Sequence, residues 1–270
     1  MRRALAAAVV VFAATRIAAA EPAAPSHGDP IDPRVLAVPT AWLPGAGVAV
    51  ATLGVDHRGD TTAIAALGLG ELAALELGSD TDVRACRACT ASGPDGAGQG
   101  DAPSPVALGR AAFRLGAGQD AWFPGMPAIA LGVRTTFAAH GHAVHDPRVS
   151  DAYLVASRAL GVVRVHAGAD AISASAGDLR AAARLRPLAG LEIHPPMYPR
   201  SSLLGDLAWE PALDAQRSPQ LGWLLGIGVR YQALTWANIE LAVRARQGDE
   251  LGASTVMIRV NAVLASSGSR

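Results

Sequence analysis

From Leu221 onward, every second residue is large and apolar: Leu221, Trp223, Leu225, Ile227, Val229 and Tyr231. Between them stand Gly222, Leu224, Gly226, Gly228, Arg230 and Gln232. A strand sends successive side chains to opposite faces, so this pattern makes one oily face and one small or polar face. The next segment repeats it, with Ala237, Ile239, Leu241 and Val243 against Asn238, Glu240, Ala242, Arg244 and Arg246. A third sets Val256, Ile258, Val260, Ala262 and Leu264 against Thr255, Met257, Arg259 and Asn261. A helix would spread these apolar positions around its circumference, so period two predicts strands.

Working toward the N-terminus, the same reading places strands near 201–211, 182–194, 161–172, 151–159, 126–137, 106–116, 71–78, 61–68 and 45–54. That makes twelve. The Ala-rich stretches 63–77 and 177–186 also suit a helix, since Ala is the best helix former. Pro187 inside the eighth segment predicts an irregular strand or bulge, because it has no N–H for a ladder. Connections alternate in length: those near 69–70, 160–161 and 234–235 are short, while 79–105 and 138–150 are long. Gly-, Asp- or Ser-bearing tips fall at 173–181, 212–219 and 247–252. Short turns on one side and long loops on the other, with an even strand number, are the bacterial barrel pattern. The expectation is an all-β chain closed into an antiparallel up-and-down transmembrane barrel of about twelve strands, spanning about 25 Å of hydrocarbon. Its parts are a signal peptide (1–20), an N-terminal linker (21–44), the barrel (45–264) and a C-terminal tail (265–270).

A soluble sandwich or lipocalin-like barrel also alternates, with its apolar face turned inward. The second face favours the membrane, being rich in Gly and Ala with scattered charges, and only 17% of the 270 residues are charged. Arg2 and Arg3 precede an unbroken apolar run from Ala4 to Ala14, and Ala18 and Ala20 supply the small residues of a cleavage site after Ala20. The run is too short to anchor the chain. Export through a signal peptide, followed by residence in a Gram-negative outer membrane, is therefore expected, with outer-membrane lipid and the barrel assembly machinery as partners. A net charge of zero, with every basic residue an Arg, offers no basic stripe for nucleic acid.

The polar face predicts lumen-facing Arg164, His166, Asp170, Arg184, Arg186, Glu192, Asp206, Glu210, Arg230, Glu240, Arg244, Arg246 and Arg259, with His194 beside them. Both signs on neighbouring strands allow cross-strand pairs in a salt-bridged, water-filled or partly plugged interior. They equally allow a polar pathway biased toward anions by Arg230, Arg244, Arg246 and Arg259. Three histidines, His140, His142 and His145, share one loop, read as a polar tip rather than a metal site. No nucleophile-elbow serine and no phosphate loop stand out, so neither a catalytic centre nor a cofactor is expected.

Several short stretches resemble one family. Pro39-Thr40-Ala41-Trp42-Leu43-Pro44-Gly45 opens the first strand, and Met126 to Arg134, Tyr153 to Arg158, Pro187 to Glu192 and Gly228 to Tyr231 follow. Over roughly residues 39 to 264 these resemble the YjbH-like outer-membrane barrels associated with exopolysaccharide export, and related barrels of unknown function. The chain departs from that pattern in lacking a lipobox Cys and a terminal aromatic, with Leu264 nearest to that place. The resemblance implies a non-enzymatic narrow pore or an accessory to envelope polysaccharide export, with export components as further partners. The alternative is a structural or binding barrel, soluble or membrane-bound, with no conductance. Cys86 and Cys89 stand three apart in the long 79–105 loop, where an oxidising compartment favours a local disulfide. Mass spectrometry with and without reductant is expected to find them paired; two free thiols in exported protein would contradict it.

Overall fold

In the computed structural model, residues 33–57, 59–80, 108–138, 148–176, 178–214, 217–248 and 254–265 are described. The expected signal peptide with its Ala20 site, Cys86 and Cys89, and the His140, His142 and His145 loop lie outside them.

Twelve strands form: β1 (Val48–Asp56), β2 (Thr61–Gly68), β3 (Ala73–Asp80), β4 (Leu108–Ala117), β5 (Ala128–Ala138), β6 (Arg148–Leu160), β7 (Val163–Ala176), β8 (Leu179–Ile193), β9 (Ser201–Asp214), β10 (Arg217–Leu234), β11 (Ala237–Arg246) and β12 (Thr255–Ala265). Each pairs antiparallel with its neighbours in sequence, and β1 pairs with β12 to close the ring. That last ladder runs from Val48 opposite Ala265 to Asp56 opposite Met257, along the whole of β1. The Ala-rich stretches are strands β2, β3 and β8, because their ladder partners, rather than intrinsic propensity, decide the backbone.

The oily face looks outward. Leu225 is 42% exposed, Ile239 44% and Ile258 50%, while Met257 and Arg259 on either side of Ile258 are buried. The same holds around the ring, through Leu53, Leu77, Leu115, Val133 and Leu154. A continuous apolar belt far exceeds what a soluble monomer leaves bare, and acyl chains are the solvent that fits it. Exposed Trp122, Phe123, Tyr198 and Tyr231 gather at one rim, where amphipathic rings settle at the headgroup level.

Two hairpins outrun their expected tips. β7 and β8 pair up to Ala176 and Leu179, and β9 and β10 up to Asp214 and Arg217, so the tips expected at 173–181 and 212–219 shrink to a few residues. Backbone pairing needs no apolar alternation, so a ladder continues past the point where the hydrophobic pattern stops. Leu225 sits near the middle of β10, where an outward Arg costs about 2–4 kcal/mol in a bilayer. Leu225→Arg is expected to lose assembly on a heat-modifiability gel while Arg246→Ala keeps it; equal tolerance of both would contradict the outward assignment.

Candidate functional site in the barrel lumen

The centre of the barrel is occupied by the chain itself. Residues 33–44, within the stretch expected to be a linker, run inside the ring. They make a tight hairpin: Val35 N–H donates to Val38 O at 2.9 Å, Thr40 N–H donates to Pro33 O at 2.8 Å, and Arg34 bridges Pro39. The sequence gives this loop no period, since Pro33 and Pro39 bracket it and neither can extend a ladder. Val35 and Val38 are fully buried.

The barrel wall recognises the hairpin through its main chain. Asp206 Oδ2 on β9 accepts the backbone N–H groups of Leu36 at 3.1 Å, Ala37 at 2.5 Å and Val38 at 2.9 Å. The carbonyls are met by guanidinium groups. Arg230 Nη2 donates to Arg34 O and Val35 O, both at 3.0 Å, and Leu36 O accepts from Arg259 at 2.6 Å and Arg244 at 3.3 Å. Arg114 on β4 donates to Pro33 O and Thr40 O. Hydrogen bonds with one charged partner contribute about 1.5–3 kcal/mol each, and this set gives the loop's polar groups charged partners.

Shape fits as well. A Cβ built at Gly226 would lie 2.9 Å from Leu36 Cδ1, and one at Gly190 would lie 2.8 Å from Val35 Cγ2. Inward glycines on β10 and β8 thus leave the volume that the hairpin fills. Val35 and Leu36 pack on Leu204, Ala242 and Met257, and Val38 and Ala41 on Ala128, Ala130, Tyr153, Val155 and Leu188.

Carboxylates on the wall hold the arginines in place. Arg230 Nε donates to Glu240 Oε1 at 2.6 Å, with Glu192 3.5 Å from its Nη1, and Arg259 lies 3.6 Å from Glu240. Arg34 of the hairpin and Arg110 of β4 share Glu76 Oε1, at 2.7 and 2.8 Å. Arg134 on β5 meets Asp151 at 2.7 Å and Asp170 at 3.4 Å. Toward the long-loop end, Arg246 donates to Glu210 at 2.5 Å and to Thr255 Oγ1 at 3.0 Å.

One group has the composition of a hydrolytic triad. Ser157 Oγ lies 2.8 Å from His166 Nδ1, whose Nε2 lies 3.6 Å from Glu192 Oε1. Its hydroxyl also accepts the Ala41 N–H at 2.7 Å, and the Trp42 ring stands edge-on to His166, centroids 5.1 Å apart, with Arg164 over the Trp42 face. Through the Ala41 N–H and the Trp42 ring, the arrangement fastens the N-terminal segment to β6 and β7. At the rim, burial and then the Arg164 charge hold the His194 imidazole below its ordinary range, which favours its neutral form beside Glu192.

Of the residues expected to face the lumen, Arg164, His166, Asp170, Glu192, Asp206, Glu210, Arg230, Glu240, Arg244, Arg246 and Arg259 thus meet inside the ring, around or above the hairpin. Arg184 and Arg186 stand apart, lining a cleft near the tip of β8 instead of the filled centre. Glu76, Arg110, Arg114, Arg134, Asp151 and Ser157 were missed by sequence reasoning, although strand parity could have found them, each falling on the inward side of its strand.

No family model and no curated protein matches the chain. Among solved structures it is similar to the KdgM porin in complex with disordered oligogalacturonate, at 6% identity and TM-score 0.51, covering 80% of this chain and 98% of that one. An outer-membrane channel from Pseudomonas putida F1 aligns at 12% identity and TM-score 0.49, over 83% and 97%. Outer membrane phospholipase A from Escherichia coli aligns at 12% and 0.44, over 82% and 97%. The likeness is one of fold: the chain is a closed twelve-stranded barrel of the outer-membrane kind.

Asp206→Ala strands three N–H groups, two of them buried at about 1–3 kcal/mol each, so the hairpin is expected to loosen while the ring stays closed. In a Cys86→Ser, Cys89→Ser background, Leu36→Cys should resist a water-soluble maleimide and become reactive once Asp206→Ala is added. Equal reactivity in both would contradict the assigned role of Asp206.

Proposed function

We propose that this protein is a non-enzymatic outer-membrane barrel held shut by its own N-terminal hairpin, with solute passage requiring the hairpin to leave. The observation that carries the reading is the recognition of residues 34–38 by Asp206, Arg230, Arg244 and Arg259 through main-chain groups. Beside the apolar contacts of Val35, Leu36, Val38 and Ala41, a polar, ion-paired wall stands behind the hairpin, and with the hairpin gone that wall suits water. Arginines released from the hairpin carbonyls would bias the pathway toward anions.

The process that the YjbH-like resemblance supplies is envelope polysaccharide export, with outer-membrane lipid, the assembly machinery and export components as partners. In that setting an export component would be what withdraws the hairpin. The non-enzymatic part of the reading is supported by the engagement of Ser157 with Ala41.

Planar-bilayer recording tests this directly. The full chain is expected to show no steady conductance, and deletion of residues 33–41 to open a channel preferring chloride over potassium. Equal steady conductance in both would contradict the shut state. Silence of a folded deletion variant would leave a structural or binding barrel in place of a channel.

A further inference from the structure

One seam of the ring is only half closed. β8 pairs with β7 along nearly its whole length, but with β9 only over 189–193 opposite 203–207. Beyond that point β9 stays with β10, and the two lean across the barrel mouth, where Trp209 and Leu221 pack on inward-facing Val149, Ile172 and Ala174 of β6 and β7. Both strands carry a proline along the parted stretch, Pro187 and Pro211, and neither can donate a ladder hydrogen bond. Trp209 Nε1 donates to Pro187 O at 2.7 Å, meeting one acceptor of the parted edge.

The parting leaves a cleft of about 700 Å³ between β8 and the start of β10. Arg180, Arg184 and Arg186 line one wall, Gln220 and Leu221 line the other, and among the described residues no carboxylate lines it. Arg184 and Arg186 share one face of β8, opposite Ile172 and Asp170, and Arg180 reaches the cleft from beyond a register shift near the strand tip, where it stands opposite Ser175. Arg186 lies over the Trp209 ring at 4.7 Å, which fixes its guanidinium at the mouth of the seam. The opposite face of β8 is oily: Leu185 is 74% exposed, and Leu191 with Leu203 of β9 continue the surface below it. The cleft lies at the end of the barrel that bears the long 81–107 and 139–147 connections, the outer side of the membrane.

A sheet edge cannot stand bare in hydrocarbon, since its N–H and C=O groups find no water there. The parted edge therefore belongs at headgroup depth, facing a polar partner. Three guanidiniums without a lining carboxylate select an anion, and their planar forks suit phosphate oxygens. Leucines running down the lipid side of the same seam select a ligand that continues into hydrocarbon, which a free anion does not. We propose that the β8–β9 seam binds the phosphate groups of an outer-leaflet lipid headgroup, whose acyl chains lie along Leu185, Leu191 and Leu203. The site rests on the barrel spanning the outer membrane in this orientation and is independent of whether the hairpin opens.

Native mass spectrometry of the folded full chain, titrated with bis-phosphorylated lipid A, tests it, with diacylglycerol as the lipid without phosphate and inorganic phosphate as the free anion. Lipid A is expected to bind one to one, diacylglycerol to bind at least about tenfold more weakly, and millimolar phosphate to leave lipid A in place. The combined change Arg180→Ala, Arg184→Ala and Arg186→Ala should weaken lipid A about tenfold or more, and the matching Lys replacements should restore most of it. Should the triple Ala variant fail to assemble, Arg184→Ala alone, at an exposed position, is expected to weaken binding several-fold. Unchanged lipid A affinity in a folded Ala variant would overturn the site. Displacement by inorganic phosphate, or equal binding of diacylglycerol, would overturn its assignment to a phosphorylated lipid.

Discussion

Backbone amides and carbonyls have no partner in hydrocarbon, and this one constraint shapes the whole molecule. It requires β1 to find β12, which it does along its full length. It also turns the larger apolar residue of each alternating pair outward, because only side chains may meet the acyl tails. The inward face is then left with what the lipid refuses: Arg, Glu, Asp, Asn and Gly. Those groups must be satisfied within the ring, and the way this is done distinguishes the protein from an open pore.

The solution is to fill the lumen with main chain. Charged side chains from five strands converge on a loop that offers N–H and C=O groups, so each of these Arg and Asp residues finds an oppositely polarised main-chain partner. The Asp206 carboxylate closes one end of this arrangement, and Arg230, Arg244 and Arg259 close the other. Arg230 and Arg259 are themselves backed by Glu192 and Glu240, so their positive charge is neutralised on the wall side and directed on the hairpin side. Gly190 and Gly226 give the loop its room. Charge, shape and covalent tethering thus act on the same few residues.

Much of this was legible in the sequence. All twelve strands were, because lipid on one side and polar groups on the other impose period two on every segment. The inward direction of Asp206, Arg230, Glu240 and Arg259 followed from the same period. The hairpin was not legible, for a physical reason: it is bound by its backbone, and backbone groups are the same in every sequence. Pro33 and Pro39 read as features of a linker because a loop without a ladder looks like one. Ser157 was passed over because a single hydroxyl among small residues carries no pattern, and its role depends on an Ala41 N–H far away in sequence. Pro187 marked an irregular strand, but that the irregularity parts β8 from β9 depends on Pro211 and on the inward lean of Trp209, which only the fold brings together.

The account stands on which side of the ring is oily and what fills its centre. Tryptophan quenching by brominated phosphatidylcholine reads both at once, in a variant that keeps Trp42 alone and in another that keeps no native Trp and carries Ile258→Trp. The account predicts strong quenching for the Ile258→Trp protein and almost none for Trp42, half-buried on the lumen side beside His166. Quenching of Trp42 with protection at position 258 would contradict it.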